Sequence, residues 1–257
     1  MSDPAILSFD DRVARLTINR PDARNALSVE IIDALHERLG ELESDARGAH
    51  VLVLTGAGKA FCAGMDLKAV LIEHSGDPDL GRRLLTSLAE LTLRLRALPM
   101  VTIASVNGAA IGGGCGLTCV CDLSVTHADA KLGFPEVDLG LCPAVIAPWV
   151  MRKLGPGVAR RALLMGGVMS GEQARSIGLA DFLAPDRAGL EALTREVAER
   201  LASGGPKALA ATKALLNRLD GSEDRDTVLR GAELSAAVLA TPEAQAALRA
   251  RTTPKSA

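Results

Sequence analysis

Residues 97 to 121 carry no charge in a chain whose charged residues make up 23% of the whole, and what that stretch becomes decides the architecture. As one helix it would reach across a bilayer. Pro99, Ser105, Asn107, Gly108 and the consecutive Gly112, Gly113 and Gly114 interrupt it, so it reads as a buried strand, a turn and a small-residue helix inside a soluble core. The neighbouring segments agree. Ala5 to Phe9 and Val13 to Ile18 alternate apolar and polar residues around Asp10, Asp11 and Arg12, the pattern of a β-hairpin. Ser28 precedes Ile31, Ile32, Leu35, Leu39 and Leu42 at helical spacing, a capped amphipathic helix. The run Val51 to Leu54 is a buried strand ending in a glycine turn, Pro78 to Ala97 reads as a second helix, Val101 to Val106 as another buried strand, Gly114 to Cys121 as a short helix and Leu123 to Thr126 as a strand.

Strands alternating with helices make the fold α/β. Ser170 and Gln173 form a capping box for a short helix that Gly178 closes. Beyond about residue 190 the strand signals stop. We therefore divide the chain near 195, into a core over residues 1–195 and a helical region over residues 196–257, with frayed ends from Thr252 onward. At 257 residues and 48% hydrophobic content the chain can bury a large core without disulfide or metal staples.

Charge and composition narrow the function. The net charge is −2 with both signs dispersed, which argues against nucleic acid and membrane surfaces as partners. Aromatic residues are 2%, too few for base-stacking platforms. Cys62, Cys115, Cys119, Cys121 and Cys142 are odd in number, with no secretory leader and no zinc-finger spacing, so we expect a cytoplasmic protein with small buried thiols and no metal. His36, His50, His74 and His127 are scattered and read as surface or satisfied histidines.

Two glycine-rich stretches invite nucleotide readings and fail them. Ala60 follows Gly58-Lys59 where a phosphate loop needs Ser or Thr, and Leu117 stands where the dinucleotide fingerprint needs its last glycine. What remains is a pair of small-residue loops after buried strands, Phe61 to Leu67 and Asn107 to Gly116. Their glycines let backbone come close to a ligand, and the second opens a helix whose N-terminus presents free amides. Two such amides suit an oxyanion hole.

The segments Asn19-Arg20-Pro21, Asn25-Ala26-Leu27, Leu54-Thr55-Gly56, Ala60 to Leu67, Val106 to Gly114, Cys121-Asp122-Leu123 and Phe134-Pro135-Glu136, in this order, resemble the crotonase superfamily of enoyl-CoA hydratases and isomerases over nearly the whole chain. The resemblance implies a spiral of β-β-α turns and a helical C-terminal region that builds homotrimers, commonly paired into hexamers. It places the thioester oxygen on the amides of Met65 and Gly113, with Ala63 and Gly112 beside them, and makes Asp66 mostly structural although it too borders the substrate. Coenzyme A enters only as part of the substrate, and no other cofactor is implied.

Hydratases of this kind carry two glutamates. Here Glu136 matches the second, whereas Gly116 stands in the place of the first and leaves room there for a water or a substrate group. Phe134, Pro135, Val137 and Leu139 surround Glu136 with apolar groups that raise its pKa and suit it to acid–base work. The stretch from Leu139 to Val150 looks more like the branch that hydrates methylglutaconyl-CoA-like substrates. We therefore expect first a hydratase (lyase) for a short or branched enoyl-CoA, second a double-bond isomerase, for which one carboxylate suffices, and third an acyl-CoA decarboxylase. A non-catalytic acyl-CoA binding protein is the alternative from another class. Arg24 and Arg251 are the candidates for coenzyme A phosphates, and Leu248 stands where many members carry an aromatic. Val70, Leu71, His74, Ile146 and Trp149 are expected to wall the acyl pocket.

Overall fold

The computed structural model describes residues 3–71, 76–77 and 79–252. The two alternating segments at the start form an antiparallel hairpin, β1 (Ala5–Asp10) with β2 (Val13–Ile18), and their buried residues face helix α1 (Val29–Ser44). Ser28 caps α1, its hydroxyl accepting from the Ile31 amide at 3.5 Å. β3 (Val51–Gly56) and β5 (Val101–Val106) are buried along their whole length, as strands covered on both faces must be.

Each of three strands of the large sheet leads into a three-residue strand and then a helix. β3 is followed by β4 (Ala60–Cys62) and α2 (Leu80–Ala97). β5 is followed by β6 (Ala109–Ile111) and α3 (Gly113–Val120). β7 (Leu123–His127) is followed by β8 (Lys131–Gly133) and α4 (Ala147–Met165). These are three β-β-α turns. The chain continues through β9 (Val168–Ser170), α5 (Gly171–Ser176) and β10 (Phe182–Ala184). The first strands of the turns share a six-stranded sheet, ordered β1-β2-β3-β5-β7-β10, and the second strands a four-stranded sheet, ordered β4-β6-β8-β9. Within the latter, β4, β6 and β8 run parallel.

Four helices complete the chain: α6 (Arg187–Ala202), α7 (Pro206–Leu219), α8 (Arg225–Leu239) and α9 (Pro242–Thr252). Residue 195 lies in the middle of α6, and Leu190, Val197, Ala198 and Ala202 from both sides of that point pack on Val51, Val53, Ile103 and Val125 of the large sheet. The second helix begins at Leu80, two residues after the expected Pro78, which lies outside the described residues. The capping box of Ser170 and Gln173 is formed. Among the described residues no helix is long and apolar enough to cross a membrane. His127 departs from expectation: it is buried with neither ring nitrogen hydrogen-bonded, while His36 and His50 find carbonyl partners.

Asn25 holds the junction between the hairpin and the first β-β-α turn. Its φ is +56°, its side-chain amide donates to the carbonyls of Ala57 (2.9 Å) and Ala60 (2.8 Å), and its oxygen accepts from the Arg20 amide (2.9 Å). An alanine there would take these partners from the Ala57 and Ala60 carbonyls and the Arg20 amide, the Ala60 bond being fully buried. Asn25→Ala is expected to cost about 2 to 4 kcal/mol in urea unfolding; a loss under about 1 kcal/mol contradicts this role.

Candidate active site

The carboxyl ends of β4, β6 and β8 lie side by side, because these strands are parallel neighbours, and each delivers one loop to a common cavity. From β4 come Ala63, Gly64 and Met65, from β6 come Gly112 and Gly113, and from β8 come Pro135 and Glu136.

The first loop is fixed by a parallel bridge between Leu27 and Met65. The Leu27 amide donates to the Gly64 carbonyl at 2.7 Å, and the Asp66 amide donates to the Leu27 carbonyl at 3.0 Å. In such pairing the flanking residues make the bonds, so Met65 turns its own N–H away from Leu27. Gly64 has φ +85°, and a β-carbon on it would come within 2.6 Å of the Ile111 carbonyl, so only glycine lets the first loop pack on the second. Gly113 opens α3, where the first amides of a helix have no intrahelical acceptor and carry the positive end of its dipole. Among the described residues neither the Met65 nor the Gly113 amide has an acceptor.

Glu136 is held through its backbone. Its carbonyl accepts from the Leu139 amide at 3.0 Å and the Leu141 amide at 2.9 Å. The side chain lies against Gly112: with φ +54°, that glycine would place a β-carbon 2.9 Å from Glu136 Oε1. Glu136 Oε2 is buried and has no hydrogen-bond partner. Burial pushes the pKa up from 4.5 to about 7, opposed only by a backbone hydrogen bond. A carboxyl of that pKa exchanges protons readily at neutral pH.

Several expected site residues are elsewhere. Gly116 is not part of the cavity lining: a β-carbon there would lie 2.3 Å from Cγ2 of Ile146, so the room expected at Gly116 is filled by the Ile146 side chain, which itself lines the cavity. Trp149 is buried 1% exposed in the core, where its indole N–H donates to Thr92 Oγ1 at 3.1 Å, and it is no pocket wall. Val70 and Leu71 are likewise core residues outside the cavity lining. His74 lies outside the described residues. Asp66 is off the lining too, and pairs with Arg20 at 2.9 Å. Arg24 is exposed, and its carbonyl accepts from the Ala63 amide at 3.0 Å. Arg251 is exposed in the last turn of α9, whose Leu248 is fully buried in the main core.

Sequence reasoning missed the walls that other elements supply. Leu85 and Leu88 come from α2, and Ser235 and Leu239 from α8. The sequence reading placed a helix over Leu85 and Leu88 without showing what they faced. Cys142, expected to be a buried thiol, is half-buried and lines the cavity. The other four thiols are buried, and burial pushes Cys62, Cys119 and Cys121 up to about 12.

Two free amides and one desolvated carboxyl at one cavity, built on three β-β-α turns, make up the candidate site, and comparison with known proteins gives the family. The enoyl-CoA hydratase/isomerase model matches residues 8–249, and the chain belongs to this family, within the crotonase superfamily. It is 34% identical over 214 residues to the 2,3-dehydroadipyl-CoA hydratase of Escherichia coli, covering 83% of this chain and 81% of that protein. It is 33% identical over 215 residues to the short-chain-enoyl-CoA hydratase of Clostridium acetobutylicum, covering 83% and 80%. A crystal structure of an enoyl-CoA hydratase/isomerase from Xanthobacter autotrophicus superimposes with a TM-score of 0.85 at 29% identity, covering 98% of this chain and 94% of the other. The chain is thus an enzyme of the hydratase/isomerase type with the crotonase fold.

The pKa of Glu136 carries a stability consequence. Its folded value lies above its ordinary value of 4.5, so the neutral carboxyl's contribution is complete at low pH and is lost as pH rises through about 7. Between pH 5 and pH 8 the native protein is expected to lose roughly 2 to 3 kcal/mol relative to Glu136→Gln, whose side chain does not ionise. Parallel pH dependence of the two proteins in urea unfolding contradicts the buried carboxyl.

Proposed function

We propose that this enzyme adds water across the double bond of a short enoyl-CoA, with the thioester oxygen held by the amides of Met65 and Gly113 and with Glu136 as the acid–base group. The observation that carries the reading is the unpartnered, desolvated Oε2 of Glu136 in the same cavity as two free amides. The Glu136 carboxylate takes a proton from water as its oxygen bonds to the β-carbon. The electron pair of the double bond moves through the α-carbon to the thioester oxygen, where the amides stabilise the enolate. Each donor of this type supplies about 3 to 4 kcal/mol to the transition state. Protonated Glu136 then returns the proton to the α-carbon, which regenerates the carboxylate and completes the addition of one water. The cavity of about 140 Å³ suits a short acyl group, since an apolar cavity of about 150 Å³ holds benzene. Arg24, whose backbone carbonyl accepts from the amide of the lining residue Ala63, and Arg251 are assigned to the coenzyme A phosphates by the resemblance.

A second reading is favoured by one observation: among the described lining residues Glu136 is the only carboxylate. A single carboxyl can remove a proton from the α-carbon of a 3-enoyl-CoA and return it to the γ-carbon, and no water has to be positioned. Mass spectrometry separates the two. Crotonyl-CoA gaining the mass of one water is the outcome expected of the hydratase, and an isobaric 2-enoyl product from 3-hexenoyl-CoA is that of the isomerase. Glu136→Gln is expected to lower kcat about 10²- to 10⁴-fold, and kcat/KM of the native enzyme to fall as pH drops below about 7, where the base is protonated. A Gln variant within tenfold of the native rate, or no turnover of either thioester, overturns the proposal.

A further inference from the structure

The cavity walls carry a selectivity of their own, an argument that rests on the reading that the cavity holds the acyl group of a coenzyme A thioester. Leu67, Leu85, Leu88, Leu141, Ile146 and Leu239 are among its apolar walls, and among the described lining residues none is Lys, Arg or His. The few polar groups are committed. The Ser235 hydroxyl donates to the Cys142 carbonyl at 2.8 Å and accepts from the amides of Ala144 at 3.0 Å and Val145 at 3.3 Å, clamping the loop between β8 and α4 onto α8. The Cys142 thiol is a weak donor that cannot neutralise a charge. The Met65 and Gly113 amides are required by the thioester oxygen. The remaining ionisable group is Glu136, which bears the same sign as an acyl carboxylate.

Among the described lining residues a carboxylate at the far end of an acyl group would meet neither a counter-charge nor a free donor, and it would leave its hydration behind. It would also oppose ionisation of Glu136, the form needed to take a proton from water. We propose that the site selects enoyl-CoAs with an apolar, uncharged acyl group and discriminates against acyl groups that end in a carboxylate. The methylglutaconyl-like substrate suggested by the stretch from Leu139 to Val150 falls in the rejected class: Leu139, Leu141, Val145 and Ile146 of that stretch line the cavity, and none of them can meet an anion.

The test separates binding from chemistry. Isothermal titration calorimetry with the saturated, unreactive butyryl-CoA and glutaryl-CoA compares the two classes with no turnover, beside kcat/KM for crotonyl-CoA and glutaconyl-CoA. Butyryl-CoA is expected to bind more than ten times as tightly as glutaryl-CoA. A ratio of tenfold or less overturns the selectivity, whatever the kinetics show. Turnover of neither enoyl-CoA, with the binding ratio preserved, overturns the catalytic reading and leaves the selectivity standing. Binding of neither saturated thioester overturns both.

Discussion

Three short parallel strands hold everything that the site needs. β4, β6 and β8 have three residues each, and their pairing puts three loop starts around one cavity. Parallel strands require a crossover, and here each crossover passes through a helix and a strand of the large sheet. The consequence is that the Met65 amide, the Gly113 amide and the Glu136 carboxyl come from positions far apart in the chain yet are fixed by rigid sheet. The Leu27 bridge, the close packing of Gly64 on Ile111 and the bond from the Gly112 amide to the Gly133 carbonyl at 2.8 Å tie the loops to one another. Preorganised donors of this kind need no reorganisation when charge develops.

The same arrangement is unfavourable for stability at one point. Glu136 Oε2 is buried beside apolar walls and has no partner, whereas the half-buried Asp122 accepts from the Thr102 amide at 2.7 Å and pairs with Lys213 at 2.8 Å. A carboxylate serving the fold is satisfied like Asp122. One poised for proton transfer must keep a free lone pair facing the space that a substrate fills, and its desolvation sets the pKa near neutrality. Ile146 sharpens this contrast, because it occupies the volume over Gly116 and leaves Glu136 as the lone carboxylate among the described lining residues.

The long buried strands and α1 were legible in the sequence, whereas the three-residue strands and α4 were not. Val51 to Leu54 and Val101 to Val106 announce themselves as apolar runs, and Ser28 marks the start of α1 by its capping chemistry. β4, β6 and β8 have three residues each, too few to show a period, so their loops were recognisable by glycine content and resemblance while the sheet joining them was not. Glu136, Met65 and Gly113 were legible as candidates because each stands in a local pattern, and all three line the cavity. Ile146 over Gly116, Trp149 on Thr92 and Ser235 on the loop at 142 to 145 join residues 30 to 93 positions apart, and no local pattern encodes such contacts. Trp149 was misplaced for that reason: a large apolar residue near a site motif suits a core as well as a pocket.

The central claim is that the two amides and the carboxyl address one acyl group, and the thioester itself reports on it. Infrared difference spectroscopy with butyryl-CoA carrying ¹³C at the thioester carbonyl reads the polarisation of that bond in the bound state. The account predicts a stretching band displaced to lower frequency than in water, narrowed by the two fixed donors, and displaced also in Glu136→Gln, where the amides are unchanged. A carbonyl band at its solution frequency in the bound complex would contradict the assignment of Met65 and Gly113 and with it the shared site.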